Sequence, residues 1–203
     1  MDGQRKVLAE HNLGLSFLYI HVYNKKYLNL AYYDLSEGID MTRSNAREIA
    51  MQMVYALNFG KRDAQAVLED LLTQEHFQQM AGEMPIYSKY PNEKQEQYIR
   101  DVVTGVYSHA PELDDYIARY AVGWNFARIP RVAAAIMRTA MYEVLYMPDI
   151  PNAAAINSAV EIAKNYETPE VVSFINGILG SFVRTEFPDT PAKPEKEQAE
   201  TEE

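Results

Sequence analysis

Two arginines near residue 43 stand one helical turn apart, and this spacing could support nucleic-acid binding. Arg43 and Arg47 occupy positions i and i+4, and Gln52 and Tyr55 follow on the predicted polar face. Guanidinium groups bind phosphates through paired hydrogen bonds and stack on bases, whereas the start of a helix favours acidic residues. The residues therefore predict either a phosphate-binding surface or a solvated helix face, and the spacing alone favours the solvated face.

A second group of interest is Phe174-Ile175-Asn176-Gly177, within a predicted helix. A glycine in a helix interior costs ~1 kcal/mol relative to alanine, and Gly180 follows Gly177 by one turn. We expect Gly177 to permit close helix packing and Asn176 to be a buried hydrogen-bonding residue. Phe174 is expected either in the core or as an exposed platform for base stacking.

Residue types and spacings give no support for catalysis. The four histidines are His11, His21, His76 and His109. None of them pairs with another at helical spacing, so we expect no metal site. Phosphate-binding glycine motifs and a G-x-S-x-G motif are absent. The chain has no cysteine, which excludes thiolate metal sites and a cysteine nucleophile. We expect a protein without enzymatic activity or cofactor.

The elements that must position these residues are predicted to be helices. From residue 41 to 187 apolar residues recur with the helical period. The first helix is predicted to begin after Thr42, and others near residues 64, 93, 111, 130, 151 and 169. Thr168 is expected to cap the last one. We predict an all-α fold of about seven helices in two small packed subdomains, about 41–85 and 92–187, joined by a proline-containing linker.

The flanking segments differ from this helical body. Residues 188–203 contain six acids, two lysines and three prolines and are expected to form a disordered acidic tail. Residues 1–40 lack clear periodicity. The purine-rich codons expected for Glu37-Gly38, just before Met41, indicate a ribosome-binding sequence. We therefore interpret residues 1–40 as an N-terminal extension that is translated leader, with the natural start at Met41. The alternative is an arm that packs on the body or swaps between subunits.

The charge balance argues against binding to duplex DNA through a broad basic surface. The formal net charge is −10, and residues 41–187 carry −5 of it. Any nucleic-acid contact must therefore come from a local patch. The apolar run Leu13–Tyr23 is about half of the ~20 residues that a membrane span needs. We expect a cytoplasmic protein that does not enter a membrane.

Several stretches together resemble the NusB family of transcription antitermination factors. Thr42–Tyr55, TRSNAREIAMQMVY, resembles the first helix of the family, and Ile136–Leu145, IMRTAMYEVL, its central helix. Asp149–Lys164, DIPNAAAINSAVEIAK, and the later Phe174–Leu179 match its most characteristic motifs. The resemblance covers about residues 42–185, and residues 1–40 have no counterpart in it.

The resemblance implies a seven-helix RNA-binding protein without catalytic activity. Family members bind single-stranded boxA RNA of ribosomal RNA leader transcripts together with a small-subunit ribosomal protein that acts as NusE, and they join elongating RNA polymerase. The family pattern implies RNA contacts on the first and last helices. The matching positions in this sequence are Arg43, Arg47, Gln52, Tyr55, Glu170 and Phe174. The protein partner is expected on helices around Val132–Tyr142.

One departure from the family pattern concerns the arginines. Many members have an arginine run at the first helix, whereas Ser44 and Asn45 separate Arg43 from Arg47 here. Fewer charges predict a shallower salt dependence of RNA binding, by on the order of 0.7 in the slope for each lost single-strand phosphate contact.

Two other function classes remain open from the sequence. A helical scaffold of the same fold would bind protein partners only. An enzyme module is the second, because NusB-like domains are also fused to RNA cytosine methyltransferases. We expect no cofactor-binding domain in residues 188–203, which are too few to form one. The oligomeric state, monomer or homodimer, also stays open.

Overall fold

The computed structural model describes residues 41–59, 62–123 and 128–188. In these ranges the chain forms eight α-helices, one short 3-10 turn and no strand, so the all-α prediction is confirmed there. The helices are α1 (Arg43–Ala56), α2 (Ala64–Leu71), α3 (Gln74–Ala81), α4 (Glu93–Ser108), α5 (Ala110–Tyr120), α6 (Arg131–Tyr146), α7 (Asn152–Tyr166) and α8 (Pro169–Glu186). The predicted N-terminal extension, 1–40, and nearly all of the predicted tail, 188–203, lie outside the described residues.

Side-chain caps define where five of the described helices begin. In each case an oxygen of the residue before the helix accepts a hydrogen bond from a backbone N–H in the first turn, which satisfies one of the unpaired donors there. The capping residues are Thr42, Asp63, Thr73, Asn92 and Thr168. The predicted caps at Thr42 and Thr168 are confirmed.

The helix count differs from the expected seven because the second predicted helix is two helices. Leu72 leaves the helical conformation at φ −94° and ψ 58°. The hydroxyl of Thr73 then accepts from the backbone N–H of His76 at 3.1 Å and starts α3. Threonine side chains compete with helical backbone bonds in this way, so the continuous apolar pattern hides a sharp break.

Helix α1 is central to the packing. Every residue from Ala46 to Ala56 is buried, and the helix packs against both α4 and α6. Alanines at 133, 134, 135 and 140 give α6 a small buried surface, and α6 also packs against α7. A helix that is buried on all sides must find internal partners for its polar side chains.

The segment between α3 and α4 is more than the linker that the prolines predict. Met84, Ile86 and Tyr87 are buried in the core, and Pro85–Tyr87 forms the 3-10 turn. The segment therefore packs into the body. The division into subdomains at about 41–85 and 92–187 stays a prediction.

Among the described residues, no helix combines the length and the apolar character that crossing a membrane requires.

Candidate nucleic-acid interface

The start of α1 presents an exposed arginine. Arg43 is exposed, as are its neighbours Thr42 and Ser44, and the first turn of α1 contains no acidic residue. Arg43 forms no ion pair with the part of the chain that the structure describes. Its guanidinium group is therefore available to a phosphate, with the unpaired N–H groups of the helix start beside it.

The first turn of α4 lies next to this helix start. Gln95 Nε2 donates to the backbone carbonyl of Met41, which precedes the Thr42 cap. Lys94 is exposed in the same turn, as is the acidic Glu93. The surface beside Arg43 is therefore polar and of mixed charge.

Arg47 lies inside the protein and is paired with Glu143 of α6. Its Nε donates to both carboxylate oxygens, at 2.8 and 3.0 Å, and Nη1 donates to Ser158 Oγ of α7 at 2.9 Å. Tyr98 Oη of α4 donates to the same carboxylate at 2.7 Å. Four helices are thus joined by one buried network.

This network keeps Arg47 charged despite its burial. Burial by itself would lower the pKa of the Arg47 guanidinium, but the adjacent Glu143 carboxylate holds that pKa above its usual value. The pKa of Tyr98 is raised well above its ordinary value, first by burial and then by Glu143. The phenol therefore stays protonated and can donate to the carboxylate.

Gln52 belongs to a second buried network, further along α1. Its Oε1 accepts from Tyr87 Oη at 2.6 Å, and its Nε2 donates to Tyr166 Oη at 2.8 Å. Tyr166 in turn donates to Glu48 Oε1 at 2.6 Å. Burial, followed by the charge of Glu48, raises the pKa of Tyr166 well above the ordinary value. Both polar ends of the Gln52 amide are used inside the fold.

Tyr55 packs within an aromatic group at the end of α1. The residue is 7% exposed, and its ring meets the ring of Phe59 edge to face, with centroids 5.1 Å apart. The guanidinium carbon of Arg131, at the start of α6, lies 5.3 Å from the Phe59 ring centroid. The Tyr55 ring is therefore occupied by core contacts.

The expectation of one polar, solvent-facing surface on α1 is wrong. Arg43 is exposed, but Arg47, Gln52 and Tyr55 are buried. A sequence signal for this arrangement exists in α6, where Glu143 stands among apolar residues and itself needs a buried partner.

The predicted site residues of the last helix, α8, differ in how far they are exposed. Glu170 is exposed in the first turn of α8, and Phe174 is half-buried against the core. The prediction of a buried Asn176 is wrong, because this side chain is exposed. The prediction that Gly177 permits internal packing is also wrong, because a Cβ there would meet no atom within 4 Å. Both residues face away from the core.

The described residues offer little to a metal or a small cofactor. They contain no group of three or more histidine, aspartate or glutamate side chains that could hold a metal ion. A cavity of about 10 Å³ lies between α1, α6 and α7 beside Thr139, whose buried hydroxyl has no hydrogen-bond partner. That volume matches roughly one water molecule and is far below that of a ligand pocket.

Comparisons with known proteins place this arrangement in a family. The model of the NusB family matches residues 44–184. A transcription antitermination protein NusB from Acetivibrio thermocellus is 40% identical over 147 residues, which are 72% of this chain and 92% of that protein. The protein of the same name from Carboxydothermus hydrogenoformans is 39% identical over 140 residues, or 69% and 91% of the two chains.

Solved structures agree on the fold. The structure of T. maritima NusB matches with a TM-score of 0.60 and 26% identity, over 72% of this chain and 93% of that one. A chain in the crystal structure of a plectonemic RNA supercoil matches with the same TM-score but 17% identity, over 72% and 97% of the two chains. At that identity the second match shows the fold alone.

Proposed function

The chain belongs to the NusB family of transcription antitermination factors, and from this premise we propose that it binds single-stranded boxA-type RNA of ribosomal RNA leader transcripts. It does so together with a small-subunit ribosomal protein acting as NusE, and the complex associates with elongating RNA polymerase in the cytoplasm. The observation that carries the proposal is the family match across nearly the whole described body, with an available arginine at the start of its first helix.

The RNA surface is proposed to include the exposed residues of α1 and α8. Arg43 contacts a phosphate by a charge-assisted hydrogen bond. Phe174 is half-buried, so its outer ring edge can pack against a base while the inner part supports the core. Glu170 and Gly177 are exposed about one turn to either side of it on α8 and form the border of this surface, whereas Asn176 is exposed on another face of the helix.

The buried residues of α1 are proposed to act by positioning the surface. A direct RNA contact through Nε or Nη1 of Arg47 would break its hydrogen bonds to Glu143 or Ser158. A direct contact through Gln52 would break its hydrogen bonds to Tyr87 and Tyr166. Leaving buried polar groups unpaired is costly. We therefore propose that these residues, with Tyr55, fix the direction of α1 and so the placement of Arg43.

The ribosomal protein partner is proposed to contact α6, in the region of Val132–Tyr142. Arg131 is exposed at the start of this helix. Arg138 is partly exposed and pairs with Asp114 of α5 at 2.6 and 2.9 Å. This partner raises the effective affinity for RNA by linking two binding events, which matters because only one of the two predicted arginines reaches the surface.

A protein-binding scaffold without RNA affinity is the second candidate. The burial of Arg47 favours it, because the exposed charge on α1 is reduced to Arg43. The residues give no support to a methyltransferase module, and we propose no catalytic step for this chain.

A transcription assay tests the proposal. Elongation by purified RNA polymerase through a terminator is measured on a template whose transcript carries boxA, with the full-length protein and the ribosomal partner added singly and together. We expect read-through to rise only when both are present, and to require boxA. Read-through that does not depend on boxA would favour the scaffold, and no effect under any condition would contradict the antitermination role.

A further inference from the structure

Three aromatic rings, those of His109, Tyr142 and Tyr146, meet on the surface where α4, α5 and α6 come together. The His109 and Tyr146 ring centroids are 4.2 Å apart, and those of Tyr142 and Tyr146 are 5.2 Å apart. Tyr146 is 38% exposed, and the other two rings are partly exposed. A contiguous group of exposed apolar rings often marks a surface that contacts another molecule.

The rings are held in place by two specific features. Gly105 of α4 has no side chain, and the Tyr142 ring fills the space where a Cβ would stand. Glu112 of α5 accepts hydrogen bonds from Tyr146 Oη at 2.5 Å and from His109 Nδ1 at 3.0 Å. We call this group, His109, Glu112, Tyr142 and Tyr146, the tyrosine cluster. Because its rings are fixed, little side-chain entropy is lost when a ligand binds.

The charges around the tyrosine cluster are mainly negative. Burial and the nearby Asp101 carboxylate raise the pKa of Tyr142, and the hydrogen bond to Glu112 raises the pKa of Tyr146 to about 12. Arg138, one turn before Tyr142, is paired with Asp114. This surface therefore attracts cations and disfavours RNA phosphates.

We propose that the tyrosine cluster binds an arginine side chain from a basic segment of a protein partner. A planar guanidinium group stacks on aromatic rings and also donates to a carboxylate, and Tyr146 and Glu112 present both kinds of group together. The chain uses the same chemistry internally, since the Arg119 guanidinium carbon lies 5.1 Å from the Tyr116 ring centroid. This binding needs no RNA and does not depend on the proposed function.

A titration with matched peptides tests the proposal. The full-length protein, labelled at its tyrosines, is followed by nuclear magnetic resonance while a capped Gly-Arg-Gly-Arg-Gly peptide is added. The control peptide carries citrulline, which keeps the shape of arginine without its charge. We expect the arginine peptide to shift the Tyr142 and Tyr146 resonances, and the citrulline peptide to bind at least several-fold more weakly. Equal binding of the two peptides, or no shift with either, would overturn the proposal.

Variants locate the binding site. Tyr146→Leu and Glu112→Gln are expected to weaken binding of the arginine peptide by about three- to tenfold. Tyr107→Leu is the matched control, because Tyr107 is an exposed tyrosine of α4 outside the cluster. The more conservative Glu112→Gln keeps the test valid where Tyr146→Leu fails to fold. An equal loss of peptide affinity in the Tyr107 variant would contradict a basic protein partner. So would a shift of the Tyr142 and Tyr146 resonances that a single-stranded RNA causes and the peptide does not.

Discussion

Arg47 Nε lies 2.8 and 3.0 Å from the two carboxylate oxygens of Glu143, in a buried ion pair between α1 and α6. Glu143 is fully buried, and Arg47 is 9% exposed. Tyr98 and Ser158 complete the hydrogen bonding of the pair. Arg47, which the family resemblance implies as an RNA contact, thus fixes how α1 packs against α6.

We predict that Arg47→Ala lowers the free energy of unfolding by about 3–5 kcal/mol, because the change leaves the Glu143 carboxylate buried and unpaired. The measurement is urea denaturation of the full-length protein at pH 7. As the control, the double variant Arg47→Met, Glu143→Leu removes both charges, and it should recover most of the lost stability. A loss below about 1 kcal/mol in Arg47→Ala, together with weaker RNA binding, would instead indicate that Arg47 contacts RNA.

A different result is expected at Arg43. Arg43→Ala should leave the unfolding free energy within about 0.5 kcal/mol of the parent, since the side chain is exposed. RNA affinity should fall by roughly 1–3 kcal/mol through the loss of a charge-assisted phosphate contact. The slope of log K against log salt should become shallower by about 0.7. For RNA affinity alone, the control is Arg119→Ala, which also removes one exposed arginine, and an equal loss of RNA affinity in the two variants would remove Arg43 from the site.

Substitution of Gly177 on α8 should change the stability of the protein and its RNA affinity in opposite directions. Gly177→Ala should raise the unfolding free energy by about 0.4–1 kcal/mol, because the added methyl group meets open space and alanine favours the helix. The same methyl group should weaken RNA binding when RNA approaches this part of α8 closely. Gly82→Ala is the matched control, because a Cβ there also meets nothing within 4 Å, and it should leave RNA binding unchanged. Unchanged RNA affinity in Gly177→Ala would place the RNA elsewhere.

The buried tyrosines should make the protein less stable at alkaline pH. In the folded state the pKa of Tyr166 is raised well above its ordinary value of 10, so its stabilising effect is complete below about pH 10. It is lost as the pH rises towards the folded pKa, because the unfolded chain releases the proton first. The unfolding free energy should therefore fall above pH 10, by up to about 1.4 kcal/mol per pH unit for each such tyrosine.

Tyr166→Phe tests this pH dependence. The variant should be less stable at pH 7, because hydrogen bonds with Gln52 and Glu48 are lost, but its stability should fall less steeply above pH 10. The exposed Tyr107→Phe serves as the control. An unchanged slope in Tyr166→Phe would show that this phenol does not contribute.

The sequence predicts the helices well because local signals define most of them. Thr42 and Thr168 cap helices as expected, and the apolar period locates the core faces. The apolar pattern does not predict the break at Thr73, because Leu71 and Leu72 continue the pattern while the backbone leaves the helical conformation.

The candidate site could be predicted only in part. The spacing of Arg43 and Arg47 does not tell which side chain meets water, because Arg47 finds its acid on α6, 96 residues away. In the same way the polar character of Gln52 suggested a surface, while two tyrosines from distant segments enclose it. Such pairings depend on tertiary packing, and the spacing of residues within one helix does not specify it.

The most direct test of the central claim is RNA binding by the full-length protein. A boxA-type leader RNA and a scrambled RNA of equal composition are titrated at fixed moderate salt, each with and without the ribosomal partner protein. We expect selective binding of the boxA RNA that becomes tighter when the partner is present. Equal affinity for both RNAs, with the partner bound, would contradict the claim that this chain recognises boxA RNA.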